Sequence, residues 1–146
     1  DITRKAMGGE IAFTEALEKR VGLLKGIKLE LLNEIFQKIE FNDGAEKLLI
    51  NLNKQKIKTI LVSGGFTFFT EKISEKLNFQ ENYANTLEVI DGILTGKVIP
   101  PIIDSISKKN ILKKTINSHK LKNTDVVAIG DGANDLEMIN RSWTTF

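Results

Sequence analysis

The chain reads Val127-Ala128-Ile129-Gly130-Asp131-Gly132-Ala133-Asn134-Asp135, an apolar run that passes directly into a glycine-rich polar turn. A second apolar run, Thr59 to Val62, stops in the same way at Ser63-Gly64-Gly65. Short apolar runs that end at glycines and alternate with helical patterns predict an α/β fold with a parallel sheet. Because ligands bind beyond the carboxyl ends of the strands in such a sheet, both turns are expected to contribute to a binding site.

Helical patterns fill much of the remaining chain. Between residues 4 and 40, apolar side chains recur at the spacing of amphipathic helices, and Gly26 is expected to separate two of them. Asp91-Gly92 lies between two β-branched runs and predicts a hairpin. Three further helices and one strand are predicted: helices from Ala45, from Phe66 and after Pro101, and a buried strand from Asp125 to Ile129.

The composition argues against several classes of function. At 146 residues the chain has the length of one domain, and its 21 basic and 19 acidic residues are spread without a basic stripe that would indicate a nucleic-acid partner. No apolar stretch is long enough to span a membrane, and the residues from Asp1 to Lys5 are not signal-like. The absence of cysteine fits a reducing compartment. We therefore expect a cytoplasmic protein with no nucleic-acid or membrane partner.

The two polar turns carry residue types suited to phosphate chemistry. Asp131 offers a hard oxygen ligand for Mg²⁺, and the Ser63 hydroxyl with its neighbouring backbone N–H groups would hold an anion at a helix N-terminus. Lys108, at a predicted helix start, would add positive charge. The alternatives are that Asp131 lies in an ordinary turn, that Asp135 is a first-turn helix acid, and that Ser63 belongs to a plain loop. The pattern indicates a phosphotransfer or phosphohydrolase site.

The same motifs resemble those of the haloacid-dehalogenase-like phosphatases. The likeness lies in ILVSGGF at 60–66, in Lys108 ahead of a helix, and in VVAIGDGANDLEMI at 126–139. Residues 6–13 and 19–26 resemble the helical cap of the members that hydrolyse phosphoserine. The resemblance covers nearly the whole chain. It implies a Rossmann-type sheet, a cap segment at 1–40, a core at 41–146, and Mg²⁺-dependent release of L-serine and phosphate, as in serine biosynthesis.

The resemblance also implies roles at the site. Lys108 would be catalytic, Asp131 would bind Mg²⁺, and Asp135 would lie next to the metal site without binding the ion itself. Substrate contacts are implied for Arg20, Ser63, Gly64, Asn134, Met7 and Phe13, with Arg20 binding the substrate carboxylate through its planar guanidinium.

Each of these substrate contacts has an alternative. Asn134 is also suited to capping a helix, and Arg20 to pairing with Glu15 or Glu18 on its own helix. Met7 and Phe13 are as well suited to packing inside the cap. His119, which has no acidic pattern around it, is assigned no catalytic role.

One motif of the family does not occur. The nucleophile is implied to be the first aspartate of Asp-x-Asp-x-Thr/Val, and no Asp-x-Asp is present in the 146 residues. With Asp1 at the first position, the chain is expected to be a fragment or a processed product whose sheet lacks its first strand. The residues from Arg141 to Phe146 lead us to expect that a last strand is missing as well. Two alternatives therefore stay open: a phosphatase of the same family with another small substrate, or a catalytically inactive phosphate-binding fragment.

Overall fold

The computed structural model describes residues 12–140, which form two compact units, one up to Ile102 and the other from Ile103 onward. The first unit contains the helices α1 (Phe13–Gly22), α2 (Leu31–Phe36), α3 (Ala45–Lys54) and α4 (Thr67–Leu77), and the strands β1 (Ile60–Phe66), β2 (Glu81–Ile90) and β3 (Ile93–Ile99). The second contains α5 (Ser105–Ser118), α6 (Leu136–Ile139) and two 3-10 turns, Asn123–Asp125 and Ala133–Asp135. The division at residue 40 stays a prediction.

The strands form a sheet in the order β1-β2-β3. β1 and β2 are parallel and joined through α4, in agreement with the predicted parallel sheet, whereas β2 and β3 are antiparallel. The predicted hairpin is also confirmed, since β2 and β3 are joined at Asp91 and Gly92, whose φ angles of 50° and 74° both lie in the left-handed region. Asp-Gly is favoured at such a turn because both positions need positive φ.

The predicted helical stretch is interrupted between α1 and α2, where residues 26–29 instead pair with β3. Gly26 N donates to Leu94 O at 2.9 Å, Leu94 N donates to Ile27 O at 2.8 Å, and Leu29 N donates to Gly92 O at 2.8 Å. Ile27 and Leu29 alternate about Lys28 with the period of a strand, and the edge of β3 supplies the backbone partners. The helical prediction is therefore wrong for these residues; residues 4–11 lie outside the described part of the chain.

The main core of the first unit joins this segment to the hairpin. It is formed by the buried side chains of Leu17, Val21, Leu32, Leu87 and Leu94. Beside it, Gly96 has a φ of 83°, and a Cβ there would lie 3.0 Å from the Cβ of Lys25. α1 and β3 therefore approach each other closely at a position where a side chain would be strained.

The second unit has a small core of Ala128, Met138 and Ile139, against which Leu112 packs. The strand predicted from Asp125 to Ile129 is not formed: a 3-10 turn ends at Asp125, and none of the described strands pairs with the residues that follow. The side chains of Val127 and Ile129 are 58% and 63% exposed. An apolar run becomes a strand only where a neighbour accepts its ladder hydrogen bonds, and no described residue does so here. Within residues 12–140, no helix has both the length and the apolar character needed to cross a bilayer.

Candidate active site

The second unit contains a buried ion pair. Lys108 lies in the first turn of α5 and is only 4% exposed, and Asp135 is 7% exposed. Lys108 Nζ donates to Asp135 Oδ1 at 2.7 Å, while the second oxygen of Asp135 accepts from Gly132 N at 3.3 Å. Asp135 thus ties the lysine to the backbone of the glycine-rich turn, a contact that the sequence did not indicate, and its expected support of a metal stays a prediction.

The two glycines of the turn leave room for this arrangement. A Cβ at Gly130 would lie 2.6 Å from both Cβ and Cγ of Asp135. A Cβ at Gly132 would overlap the amide oxygen of Asn134. Any side chain at Gly130 would therefore displace the carboxylate that holds Lys108, so this glycine is required by space rather than by backbone conformation. At Gly132 the exposed Asn134 amide can move aside.

The first turn of α5 is held by Asp104. Its Oδ1 accepts from Ser107 N at 2.7 Å, the geometry of a helix N-cap. Burial acts to raise the pKa of Asp104, but the hydrogen bonds from Ser107 and the adjacent backbone outweigh it, so this pKa lies below its usual value of 3.8. Asp104 fixes the start of the helix one turn before Lys108.

Asp131 is the carboxylate of the turn that remains available to a cation. It is exposed and forms no hydrogen bond or ion pair with any other described residue, whereas Asp135 is engaged by Lys108. No group of three potential metal-binding side chains occurs among residues 12–140. Mg²⁺ often keeps several waters and takes only one or two protein carboxylates, so Asp131 fits as a single ligand.

In the first unit, Ser63, Gly64 and Gly65 lie within β1 rather than in a turn after it, which corrects the predicted strand end. The register against β2 shifts between Val62 and Phe66, so these residues form an irregular bulge. Ser63 Oγ accepts from Gly65 N at 3.0 Å. The polar residues still directly precede an eleven-residue helix, α4, as expected.

Arg20 lies in the last turn of α1 and is exposed. Glu15, one of its two proposed partners, is instead bound by Lys19 at 2.6 Å. Arg20 forms no ion pair with any residue in the described range, Glu18 included, so its guanidinium is free to bind an anion.

The remaining candidates have mixed outcomes. Phe13 packs against the main core, which supports the packing alternative, and Met7 lies outside the described residues. The side chain of Asn134 is exposed and does not cap α6, whose N-cap residue is Asp135. The capping alternative is therefore wrong for α6, and Asn134 keeps an accessible amide.

The profile of the haloacid dehalogenase-like hydrolases matches residues 2–140. The chain belongs to that family. Among the relatives of this chain, the phosphoserine phosphatase of Archaeoglobus fulgidus is 42% identical over 97% of the chain, and that of Idiomarina loihiensis is 46% identical over 92%. A solved structure of a substrate-bound phosphoserine phosphatase superposes with a TM-score of 0.89 at 37% identity, covering 99% of the chain and 69% of the other. The chain spans only 41% and 61% of the Archaeoglobus and Idiomarina proteins.

The sequence analysis did not single out one buried polar residue of the first unit, Asn85. Asn85 on β2 is fully buried and donates from Nδ2 to Gly64 O at 2.9 Å. An asparagine inside a β-branched and apolar strand is the signal that could have drawn attention to it, because Asn is disfavoured there unless its amide is satisfied.

Proposed function

We propose that the protein to which this chain belongs is a magnesium-dependent phosphoserine phosphatase, hydrolysing O-phospho-L-serine to L-serine and phosphate. The observation that carries the proposal is the buried Lys108–Asp135 pair beneath the Gly130-Asp131-Gly132 turn. It is supported by relatives of that name at 42% and 46% identity.

Lys108 is suited to binding a phosphoryl group. An ammonium group has three N–H donors, and one of them is used by Asp135. The other two have no partner among the described residues. A buried ammonium gains strongly from further hydrogen-bond acceptors, and the oxygens of a phosphate monoester would supply them together with compensating charge.

Roles for Asp131 in the second unit and for Ser63 in the first are implied by the family resemblance. Asp131 would hold Mg²⁺, which when bound supplies positive charge to the phosphoryl oxygens. Ser63 would donate its hydroxyl hydrogen, and Asn134 would donate from its exposed amide. The nucleophile, implied by resemblance to be the aspartate of an Asp-x-Asp motif, is not among these residues, so the activity proposed is that of the whole protein.

Arg20 is proposed to select the substrate through its carboxylate. Removing a hydrogen bond to a charged group typically costs about 1.5–3 kcal/mol, or about 10- to 100-fold in kcat/KM. Arg20→Ala should therefore lower kcat/KM for phosphoserine by that factor while leaving phosphoethanolamine, which has no carboxylate, nearly unchanged. Lys19→Ala, one residue away in an exposed pair with Glu15, is the matched control. Equal losses on both substrates would contradict this role.

The test of the activity uses the full-length protein and the release of inorganic phosphate from phosphoserine, phosphohomoserine and phosphoglycolate, with and without Mg²⁺. Lys108→Met should reduce turnover by about 100-fold or more, because preorganised charge at a reacting group contributes on that scale. Lys109→Met, in an exposed pair with Glu137, should change it little. If the protein hydrolyses phosphohomoserine or phosphoglycolate faster than phosphoserine, its substrate is the preferred one of these. If calorimetry shows that phosphoserine binds but no phosphate is released, a binding function replaces the proposed enzyme activity.

A further inference from the structure

The bulge in β1 leaves a peptide group outside the ladder. Val62 pairs with Tyr83 and Phe66 pairs with Asn85, so four residue steps on β1 oppose two on β2. The residues in between cannot all exchange backbone hydrogen bonds with β2. A carbonyl placed in such a bulge needs another donor if it is turned toward the protein interior.

Asn85 supplies that donor to Gly64. Its side chain is 0% exposed, and its Nδ2 lies 2.9 Å from Gly64 O. A buried amide in a strand is costly unless satisfied, and here it substitutes for a missing backbone donor. Asn82, three residues earlier on the same strand, provides a contrast, because its buried Oδ1 accepts no hydrogen bond from any residue in the described part of the chain.

The bond from Asn85 also determines the orientation of the next N–H group. In a trans peptide the carbonyl and the N–H point in opposite directions, so holding Gly64 O toward Asn85 turns Gly65 N–H to the other side. There it donates to Ser63 Oγ at 3.0 Å. With its oxygen accepting this bond, the Ser63 hydroxyl keeps its hydrogen for another acceptor.

We propose that Asn85 is a positioning residue for anion binding, which holds the Gly64–Gly65 peptide so that Gly65 N–H orients the Ser63 hydroxyl toward a phosphoryl oxygen. Asn85 itself does not touch the ligand. The inference rests on the proposed function only in taking a phosphoryl group as that ligand.

The test compares Asn85→Asp with wild type by calorimetric titration of inorganic phosphate into the full-length protein. Aspartate has nearly the same shape but replaces the donor with an oxygen facing Gly64 O. We expect the Kd for phosphate to rise about tenfold, the scale of one lost hydrogen bond. Asn82→Asp on the same strand is the control, with an expected change below about twofold.

The result separates positioning from a merely structural role. If Asn85 has only a structural role, Asn85→Asp should lower the fraction of protein that can bind phosphate, which appears as a lower stoichiometry. The Kd for phosphate would then be unchanged, and that result overturns the inference. Should Asn85→Asp fail to fold, the wild-type protein is titrated with phosphate and followed by NMR. The side-chain amide of Asn85 and the backbone amide of Gly65 should then shift together, and an unshifted Asn85 amide overturns the inference.

The same titration distinguishes this inference from the proposed function. A wild-type protein that binds phosphate but does not hydrolyse phosphoserine overturns the proposed function, while the comparison of Asn85→Asp with Asn82→Asp still decides the role of Asn85. If the wild-type protein hydrolyses phosphoserine but the Kd for phosphate is the same in wild type and Asn85→Asp, only the positioning role is overturned. Absence of phosphate binding by the wild type overturns the inference as well.

Discussion

At the scale of single residues, the two adjacent lysines of α5 provide a direct comparison of buried and exposed charge. Lys108 and Asp135 have side chains only 5% and 10% exposed, whereas those of Lys109 and Glu137 are 30% and 54% exposed. Lys108→Met leaves a carboxylate buried without its partner and should lower the free energy of unfolding by about 3–5 kcal/mol. Lys109→Met should lower it by less than about 1 kcal/mol. Urea unfolding of the full-length protein measures the free energy of unfolding of both variants. Equal losses would show that burial does not determine how much each ion pair contributes to stability.

Gly130 gives a second prediction at this scale. A methyl group there would overlap Asp135 near the root of its side chain, which cannot rotate away. Gly130→Ala should therefore destabilise the protein by about 1–3 kcal/mol, and turnover should fall with it. Gly22→Ala is the control, since a Cβ at Gly22 has no atom within 4 Å and its position is helical. Differential scanning calorimetry should show a lower Tm for the first variant only, and an unchanged Tm for Gly130→Ala would contradict the overlap.

The sequence identified candidate residues for the site, but it did not indicate their contacts. The motif at 127–135 and Lys108 were identified from the sequence, yet nothing in the spacing indicated that Lys108 is buried and bound to Asp135. Asn85 was missed because its role depends on a register shift in a different strand. Pairing and register are set by tertiary packing, which a single sequence does not encode locally.

At the scale of elements, the N-terminus of α5 should respond to pH through Asp104. Its pKa is lower in the folded state than the usual 3.8. The ionised carboxylate therefore makes its full contribution to stability at pH values above the pKa of the unfolded state. This contribution is lost as the pH falls below that value and through the folded pKa. Asp104→Asn retains a capping side chain but does not titrate.

The prediction is checked by urea unfolding of wild type and Asp104→Asn between neutral pH and pH 3. The difference in the free energy of unfolding should stay constant above about pH 5 and change, in favour of Asn, as the pH falls further. Asp104→Ala should lose about 1 kcal/mol at neutral pH through loss of the cap. A difference independent of pH would contradict the assigned lowering of the pKa.

Elements were predictable where local signals were strong. The hairpin at Asp91-Gly92 and the helix after β1 followed from turn residues and periodicity. Two predictions were wrong in opposite ways. The helix predicted over residues 26–29 is replaced by strand-like pairing, and the strand predicted over residues 126–129 has no partner among the described residues. In both cases the neighbouring backbone, rather than the segment itself, decides the outcome.

At the scale of the whole molecule, the exposed run at Val127 and Ile129 leads to a prediction for the full-length protein. The family resemblance implies a further strand that carries the nucleophile, and none of the described strands pairs with the run that contains Val127 and Ile129. We expect the amides of Val127 and Ile129 to exchange slowly with solvent in the full-length protein, as ladder amides do. The amide of Asp43, which is exposed in the turn before α3 and forms no hydrogen bond with another described residue, serves as a fast-exchanging reference. Fast exchange at all three positions would show that no strand pairs with this run.

The pairing of Lys28 with Ile93 has a consequence for the order of folding. The two residues are roughly sixty positions apart, so closing the chain between them carries an entropic cost that local elements avoid. The Asp91-Gly92 hairpin is local and provides the edge on which residues 26–29 dock, so we expect it to form first. The docking of Ile27 is thus expected to be a late event: a destabilising substitution at Ile27 should accelerate unfolding while leaving the folding rate almost unchanged, whereas one at Gly92 should slow folding.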